Sequence, residues 1–322
     1  LIIIISNFMR EEQKRRQIRA AFGQYLSPDL VGRLADNPDT LVLGGETREL
    51  SVLFTDIRGF TTISESYKDY PQGLTRLMNH FLTELSRPIL ERNGTIDKYM
   101  GDAIMAFWNA PFDREDHAKE ACLAALEMLD NIDRLNTERE ARLKNDKTET
   151  YHEINVGIGI NTGLCVVGNM GSENRFDYTA LGDTVNIASR LEGQSKPYGL
   201  PIIIGPETAE RVADTLAVFE IDLIRVKGKT EPVCIFALSG NDEFAKSKLF
   251  GDFREINSTM LASYRDQKWN DAKKSIRKLT TLGKQLNLPI DEYILIYQTR
   301  ISEFEQNSPT SDWDGVYVAS SK

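Results

Sequence analysis

The chain has 322 residues, long for one ordinary domain and suited to a domain with appendages. With 41% hydrophobic and 27% charged residues and only 11 prolines it can bury a real core, which excludes a largely disordered polypeptide. The balance of 39 basic against 48 acidic side chains gives a net charge of −9, which argues against nucleic acid as a partner.

Three cysteines (Cys122, Cys165, Cys234) and three histidines are too few for a disulfide framework or a zinc site. This usage fits a reducing, cytosolic compartment and leaves carboxylates as the ligands of any metal. The first residues are Leu-Ile-Ile-Ile-Ile, followed by Arg10, Lys14, Arg15, Arg16 and Arg19. Five apolar residues cannot cross a bilayer, which takes about 20. Residues 1–7 are therefore expected to end a transmembrane helix with its basic flank in the cytoplasm, the other reading being a buried strand. Residues 8–44 read as a helical linker. Its second helix starts with Ser27 as N-cap and Pro28 at the first position, and Asn37-Pro38-Asp39 breaks it.

From Leu50 strands and helices alternate densely. Leu50–Ile57 is an apolar run ending at a buried strand's tip. Leu74, Leu77, Met78, Phe81, Leu85 and Ile89 recur at helical spacing over 71–92, with Pro88 expected to kink or shorten that helix. Asn93-Gly94 is a turn, and Thr95–Met100, Gly101 and Ala103–Trp108 make a hairpin. Ala118, Cys122, Ala125, Leu129 and Ile132 mark a further amphipathic helix, and the charged, aperiodic residues 138–150 a surface loop. Strands are expected at 154–160, 164–167, 201–204, 216–226 and 233–238, with a helix over 183–192. The order β-α-β-β-α-β predicts an α+β fold, helices on one face of a mostly antiparallel sheet, closing near residue 240. Residues 241–322 read as a helical hairpin broken near Pro289, which docks on the core or on a partner because one pair cannot bury its own apolar face.

Two aspartates stand at strand ends, Asp56 in Phe-Thr-Asp-Ile-Arg-Gly-Phe-Thr and Asp102 in Asp-Lys-Tyr-Met-Gly-Asp-Ala. Such a pair, with no histidine nearby, suits a hard cation such as Mg²⁺; a lone aspartate at such a place more often caps a turn. Gly59, Phe60 and Thr61 start a helix whose main-chain N–H groups could face phosphate. Asn186 and Arg190 are four apart in Gly-Asp-Thr-Val-Asn-Ile-Ala-Ser-Arg, hence on one helix face, where ribose and phosphate contacts or plain solvation are both open readings. Lys98 lies in an otherwise apolar strand, Thr179 just before the Asn186 helix, and Lys227 in Val-Lys-Gly-Lys; each also reads as a solvated edge residue.

Taken in order and in context, Asp56, Lys98, Asp102, Thr179, Asn186, Arg190 and Lys227 resemble the class III nucleotidyl cyclase catalytic domain, over roughly residues 45–240. Phe-Gly-Gln-Tyr-Leu-Ser-Pro before it looks like the transducer of membrane-bound bacterial members. The resemblance implies a ferredoxin-like βαββαβ core. It implies that Asp56 and Asp102, helped by the Ile57 carbonyl, hold two Mg²⁺ or Mn²⁺ ions per active site. Asn186 would orient the ribose, Arg190 would stabilise charge at the α-phosphate, and Lys227 with Gly59, Phe60 and Thr61 would hold the triphosphate.

The purine would meet Lys98 and Thr179. An ammonium and a hydroxyl suit adenine, whose N1 accepts and whose exocyclic amine donates, so ATP is the expected substrate and cyclic AMP the product. Lys98 and the metal aspartates would serve different sites, which implies a head-to-tail homodimer with shared active sites on the cytoplasmic face of the membrane, governed by an upstream sensor. The alternatives are a guanylate cyclase, or an inactive nucleotide-sensing cyclase domain.

Overall fold

The apolar run that starts at Leu50 is the buried half of a longer strand, β1 (Gly44–Ile57), whose first residues are exposed. The computed structural model describes residues 12–13, 44–144, 150–172, 175–225, 231–310 and 313–318. The expected membrane end at 1–7 and nearly all of the 8–44 linker lie outside the described residues. After β1 come α1 (Phe60–Ser66), α2 (Pro71–Glu91), β2 (Thr95–Met100), β3 (Ala103–Trp108), α3 (His117–Leu143), β4 (Val156–Ser172) and β5 (Arg175–Leu181). Then follow α4 (Asp183–Tyr198), β6 (Ile202–Ile204), α5 (Pro206–Val212), β7 (Ala217–Arg225) and β8 (Val233–Gly240). The last elements are α6 (Asp242–Lys246), α7 (Lys248–Arg265), α8 (Trp269–Gln285), α9 (Asp291–Gln306) and β9 (Tyr317–Val318).

Two units share β1 and β4: the first is Leu1–Val52, Thr62–Tyr151 and Gly163–Val185, the second Leu53–Thr61, His152–Thr162 and Asn186–Lys322. In the first unit the strands run in the order β2-β3-β1-β4, with β5 on β4. With helices following β1 and β3 in the chain, this is the expected βαββαβ core. α2 buries Leu77, Phe81, Leu85 and Ile89, and α3 buries Ala118, Cys122, Ala125 and Ile132, each at helical period. Pro88 does not shorten α2. A proline has no N–H for the carbonyl four residues back, here Glu84, and Asn131 Nδ2 of α3 donates to that oxygen at 2.8 Å, so the helix runs on to Glu91.

Residues 138–143 were expected in a loop but extend α3 to Leu143; Arg139 is buried there and stacks over the Tyr151 ring at 5.5 Å, so charge alone misled. The strands expected at 154–160 and 164–167 are one strand, β4, of 17 residues. β5 and α5 were not foreseen.

In the second unit the order is β4-β6-β8-β7-β9. β6 runs parallel to β4, with Ile158 opposite Ile202, and the β6–β8 and β7–β8 pairs are antiparallel. Residues 241–318 hold three long helices rather than the expected hairpin, and they dock on this unit's own core. Phe219 of β7 meets Phe253 of α7 edge-on at 5.0 Å, and Tyr293 and Tyr297 of α9 are wholly buried. β7 carries a bulge between Glu220 and Asp222 that interrupts its ladder with β8. The helices satisfy the backbone there: Asn257 Nδ2 donates to the Glu220 carbonyl at 2.6 Å and the Tyr297 hydroxyl to the Ile221 carbonyl at 2.7 Å.

Candidate active site

In the second unit, Asp56 is the penultimate residue of β1, half-buried, with its Oδ1 accepting the Ile57 N–H at 3.0 Å. The chain then turns through Arg58 and Gly59 into α1, which starts at Phe60. Arg58 anchors this turn. Its N–H donates to the Asn155 carbonyl at 2.8 Å, and its Nη2 donates to the carbonyls of Ser195 and Leu200 at 3.0 and 2.9 Å. Burial holds the Arg58 guanidinium below its ordinary pKa, with Glu192 offsetting only part of that. The loop bearing Asp56, Gly59, Phe60 and Thr61 is thereby tied to the C-terminal end of α4.

α4 itself carries Asn186 and Arg190. Ala188, Leu191 and Ser195 form its buried face, whereas Asn186 is exposed and Arg190 half-exposed one turn on, as the four-residue spacing requires. Gly159 lets β4 approach this helix: a Cβ there would stand 2.1 Å from Glu192 N and 2.3 Å from the Ala188 carbonyl oxygen.

In the first unit, β2 and β3 form the expected hairpin, Met100 opposite Ala103, with Gly101 and Asp102 as its turn and Asp102 half-buried. Lys98 lies on β2 and Thr179 on β5, and the fold brings them to one point. Both meet Asp97, a buried carboxylate absent from the expected site: Lys98 Nζ is 3.3 Å from its Oδ1, and the Thr179 hydroxyl donates to its Oδ2 at 2.5 Å. Burial raises the Asp97 pKa above the usual carboxylate range, opposed by Thr179 and Lys98. An aspartate interrupting an apolar strand was the one signal in the sequence that pointed to it. Lys227 lies outside the described residues.

Asp56 and the Ile57 carbonyl in the second unit, and Asp102 in the first, have only oxygens to offer a metal, and no cluster of three or more His, Cys, Asp or Glu side chains occurs among the described residues. Oxygen donors of this kind suit Mg²⁺, which keeps waters and takes substrate phosphates beside one or two carboxylates.

A βαββαβ order of strands with packed helices defines an α+β domain. Residues 44–240 match the family model described as the adenylate and guanylate cyclase catalytic domain, and the chain belongs to that family. It is 30% identical over 236 residues to adenylate cyclase 1 of Rhizobium meliloti strain 1021, covering 73% of this chain and 34% of that protein. It is 39% identical over 194 residues to an adenylate cyclase of Anabaena cylindrica, covering 59% of this chain and 36% of that one. The chain thus spans about a third of the length of these relatives.

Among solved structures, the adenylyl cyclase CyaB from P. aeruginosa is 35% identical with a TM-score of 0.53, over 62% of this chain and 97% of that one. The guanylyl cyclase Cya2 is 30% identical with a TM-score of 0.54, over 62% and 96%.

Proposed function

We propose that the protein is an adenylate cyclase, turning ATP into 3′,5′-cyclic AMP and pyrophosphate at sites shared between two copies. The observation that carries this reading is the meeting of Lys98 and Thr179 at Asp97. It leaves a donor and an acceptor side by side, the complement of adenine's N1 and exocyclic amine. The likeness to adenylate cyclases of two bacteria supports it. Two Mg²⁺ or Mn²⁺ ions, held by Asp56, Asp102 and the Ile57 carbonyl, would supply Lewis acidity at the reacting oxygens when bound.

The chain's own residues do the rest. Asn186 holds the ribose so that its 3′-oxygen faces the α-phosphorus, and Arg190 stabilises the charge that builds on the α-phosphate oxygens. The 3′-oxygen bonds to phosphorus as the bond to the bridging oxygen breaks. Pyrophosphate leaves with the electron pair and the hydroxyl proton passes to solvent. Lys227 and the N–H groups of Gly59, Phe60 and Thr61 hold the departing phosphates.

Dimerisation fits an exposed apolar ribbon in the first unit, Leu164 at 67%, Val166 at 43% and Leu181 at 56% exposure, with Val166 opposite Leu181 across β4 and β5.

Incubation with ATP or GTP and Mg²⁺ or Mn²⁺, with mass spectrometry of the products, tests the chemistry. Metal-dependent cyclic AMP is expected. The similar TM-scores to a guanylyl and an adenylyl cyclase structure, 0.54 and 0.53, make cyclic GMP the competing outcome, which would overturn the base assignment alone. Mixing Asp56→Ala with Arg190→Ala chains should restore activity to about a quarter to a half of wild type, since each mixed dimer keeps one intact site. No recovery in a mixture shown to exchange subunits would sink the shared-site model.

A further inference from the structure

Adjacent residues of a strand point to opposite faces of its sheet. Asp97 and Lys98 are adjacent in β2, yet their charged atoms stand 3.3 Å apart. The register explains it. Ile96 pairs with Ala106 and Lys98 with Met105, so Asp97 is the extra residue of a bulge, the device that re-aims side chains within a ladder.

The carboxylate so placed is buried, with a hydrogen bond on one oxygen and only an ion-pair neighbour on the other. Oδ1 faces the Lys98 ammonium, and Oδ2 accepts the Thr179 hydroxyl from β5, where Thr179 pairs with Gly168 of β4. The neighbouring Ala180 N–H also points to the carboxylate. A hydroxyl has one proton and two lone pairs, and an ammonium has only donors. With its proton committed to Asp97, Thr179 presents lone pairs alone, while Lys98, held on the other oxygen, keeps donors to give.

Resting on the reading that Lys98 and Thr179 meet the purine, we propose that Asp97 is a positioning residue whose bulge fixes this donor–acceptor order and so sets the choice of adenine over guanine. Guanine presents N1–H where adenine has a bare N1, and a carbonyl where adenine has an amine. It would meet donor against donor and acceptor against acceptor, the costly arrangement.

The test measures kcat and KM for ATP and GTP in wild type, Asp97→Asn, Thr179→Ala and the double variant, with a melting temperature for each. The asparagine amide keeps the shape but offers an N–H to Thr179, freeing the hydroxyl proton to turn to the base. Asp97→Asn is expected to lower the ATP-over-GTP ratio of kcat/KM about tenfold, mainly through KM for ATP, and Thr179→Ala should add little on top because the two act as one unit. Asp97→Ser gives the same readout should the amide fold poorly.

An unchanged ratio in both Asp97 variants, or equal losses for both nucleotides, would overturn the proposal. If Thr179→Ala shifts the ratio and the Asp97 variants do not, Asp97 alone loses its role. If Thr179→Ala also leaves the ratio untouched, the base-pocket reading falls and this proposal with it.

Discussion

Asp222 shows how a buried charge is kept in this chain. It is 1% exposed, and its Oδ2 accepts from Arg300 Nη1 at 2.6 Å and from the Tyr198 hydroxyl at 2.5 Å while its Oδ1 accepts the Leu223 N–H at 2.8 Å. Burial pulls the Arg300 pKa down, but Asp222 and its neighbours more than reverse that, and burial beside the same carboxylate raises Tyr198. Removing one partner strands the other in the interior. Arg300→Ala should therefore cost about 3–5 kcal/mol in urea unfolding, whereas Arg300→Met with Asp222→Leu should recover most of it. Tyr198 ends α4, so the single variant should also slacken the helix of Asn186 and Arg190 and lower kcat.

The thiols give a second check. Burial pushes Cys165 up to about 11 and Cys234 up to about 12, and raises Cys122 further. A raised thiol pKa leaves little thiolate at pH 8, so iodoacetamide should label the native protein slowly, speeding up as pH climbs toward 11 and at once on unfolding. Rapid labelling at pH 8 without unfolding would contradict that burial.

Elements whose reason lies within their own segment were legible in the sequence; those shaped by a neighbour were not. The β2–β3 hairpin follows from apolar strands around a glycine turn, and its observed ends are the expected ones. β4, expected as two strands at 154–160 and 164–167, runs unbroken through Gly163. The glycine admits the Thr184 side chain, whose Oγ1 would lie 2.7 Å from a Cβ at 163. α2 outlasts Pro88 only because Asn131, 43 positions later in the chain, donates to the Glu84 carbonyl. Asn131→Leu should shorten α2 and lower the melting temperature by several degrees, about 1–3 kcal/mol for one stranded buried carbonyl.

The candidate residues divide in the same way. Asp56, Asp102, Asn186 and Arg190 stand at strand ends, turns and helix spacings that sequence displays. Asp97 and Arg58 act through partners in β5 and α4, which it does not. The close approach of β4 to α4 makes Gly159→Ala a sharp test, since backbone rather than a movable side chain blocks the added methyl; about 1–3 kcal/mol of stability and much of the activity should be lost.

In the second unit, the sheet is finished by helices outside the cyclase-matching residues 44–240. The CyaB and Cya2 structures align over 97% and 96% of their own length while covering 62% of this chain. Here Phe250, Phe253, Tyr264, Tyr293 and Tyr297 bury against β7, with each such aromatic worth about 1.5–3 kcal/mol when removed from water. A chain ending at Gly240 should therefore be far less soluble and less stable than one ending at Pro309, and rescue by Phe219→Ser and Ile221→Thr would identify the uncovered face as the cause. Equal stability of the two would make the helices dispensable.

The β7 bulge carries a further consequence, in the order of synthesis. The Ile221 carbonyl that the bulge frees has its partner in Tyr297, and α9 leaves the ribosome after every strand from β1 to β8. A nascent chain thus leaves the Ile221 carbonyl without its hydroxyl partner until translation has passed α9. Products stalled before α9 present the apolar face of β7 to chaperones and proteases, and only a chain read through that helix covers it.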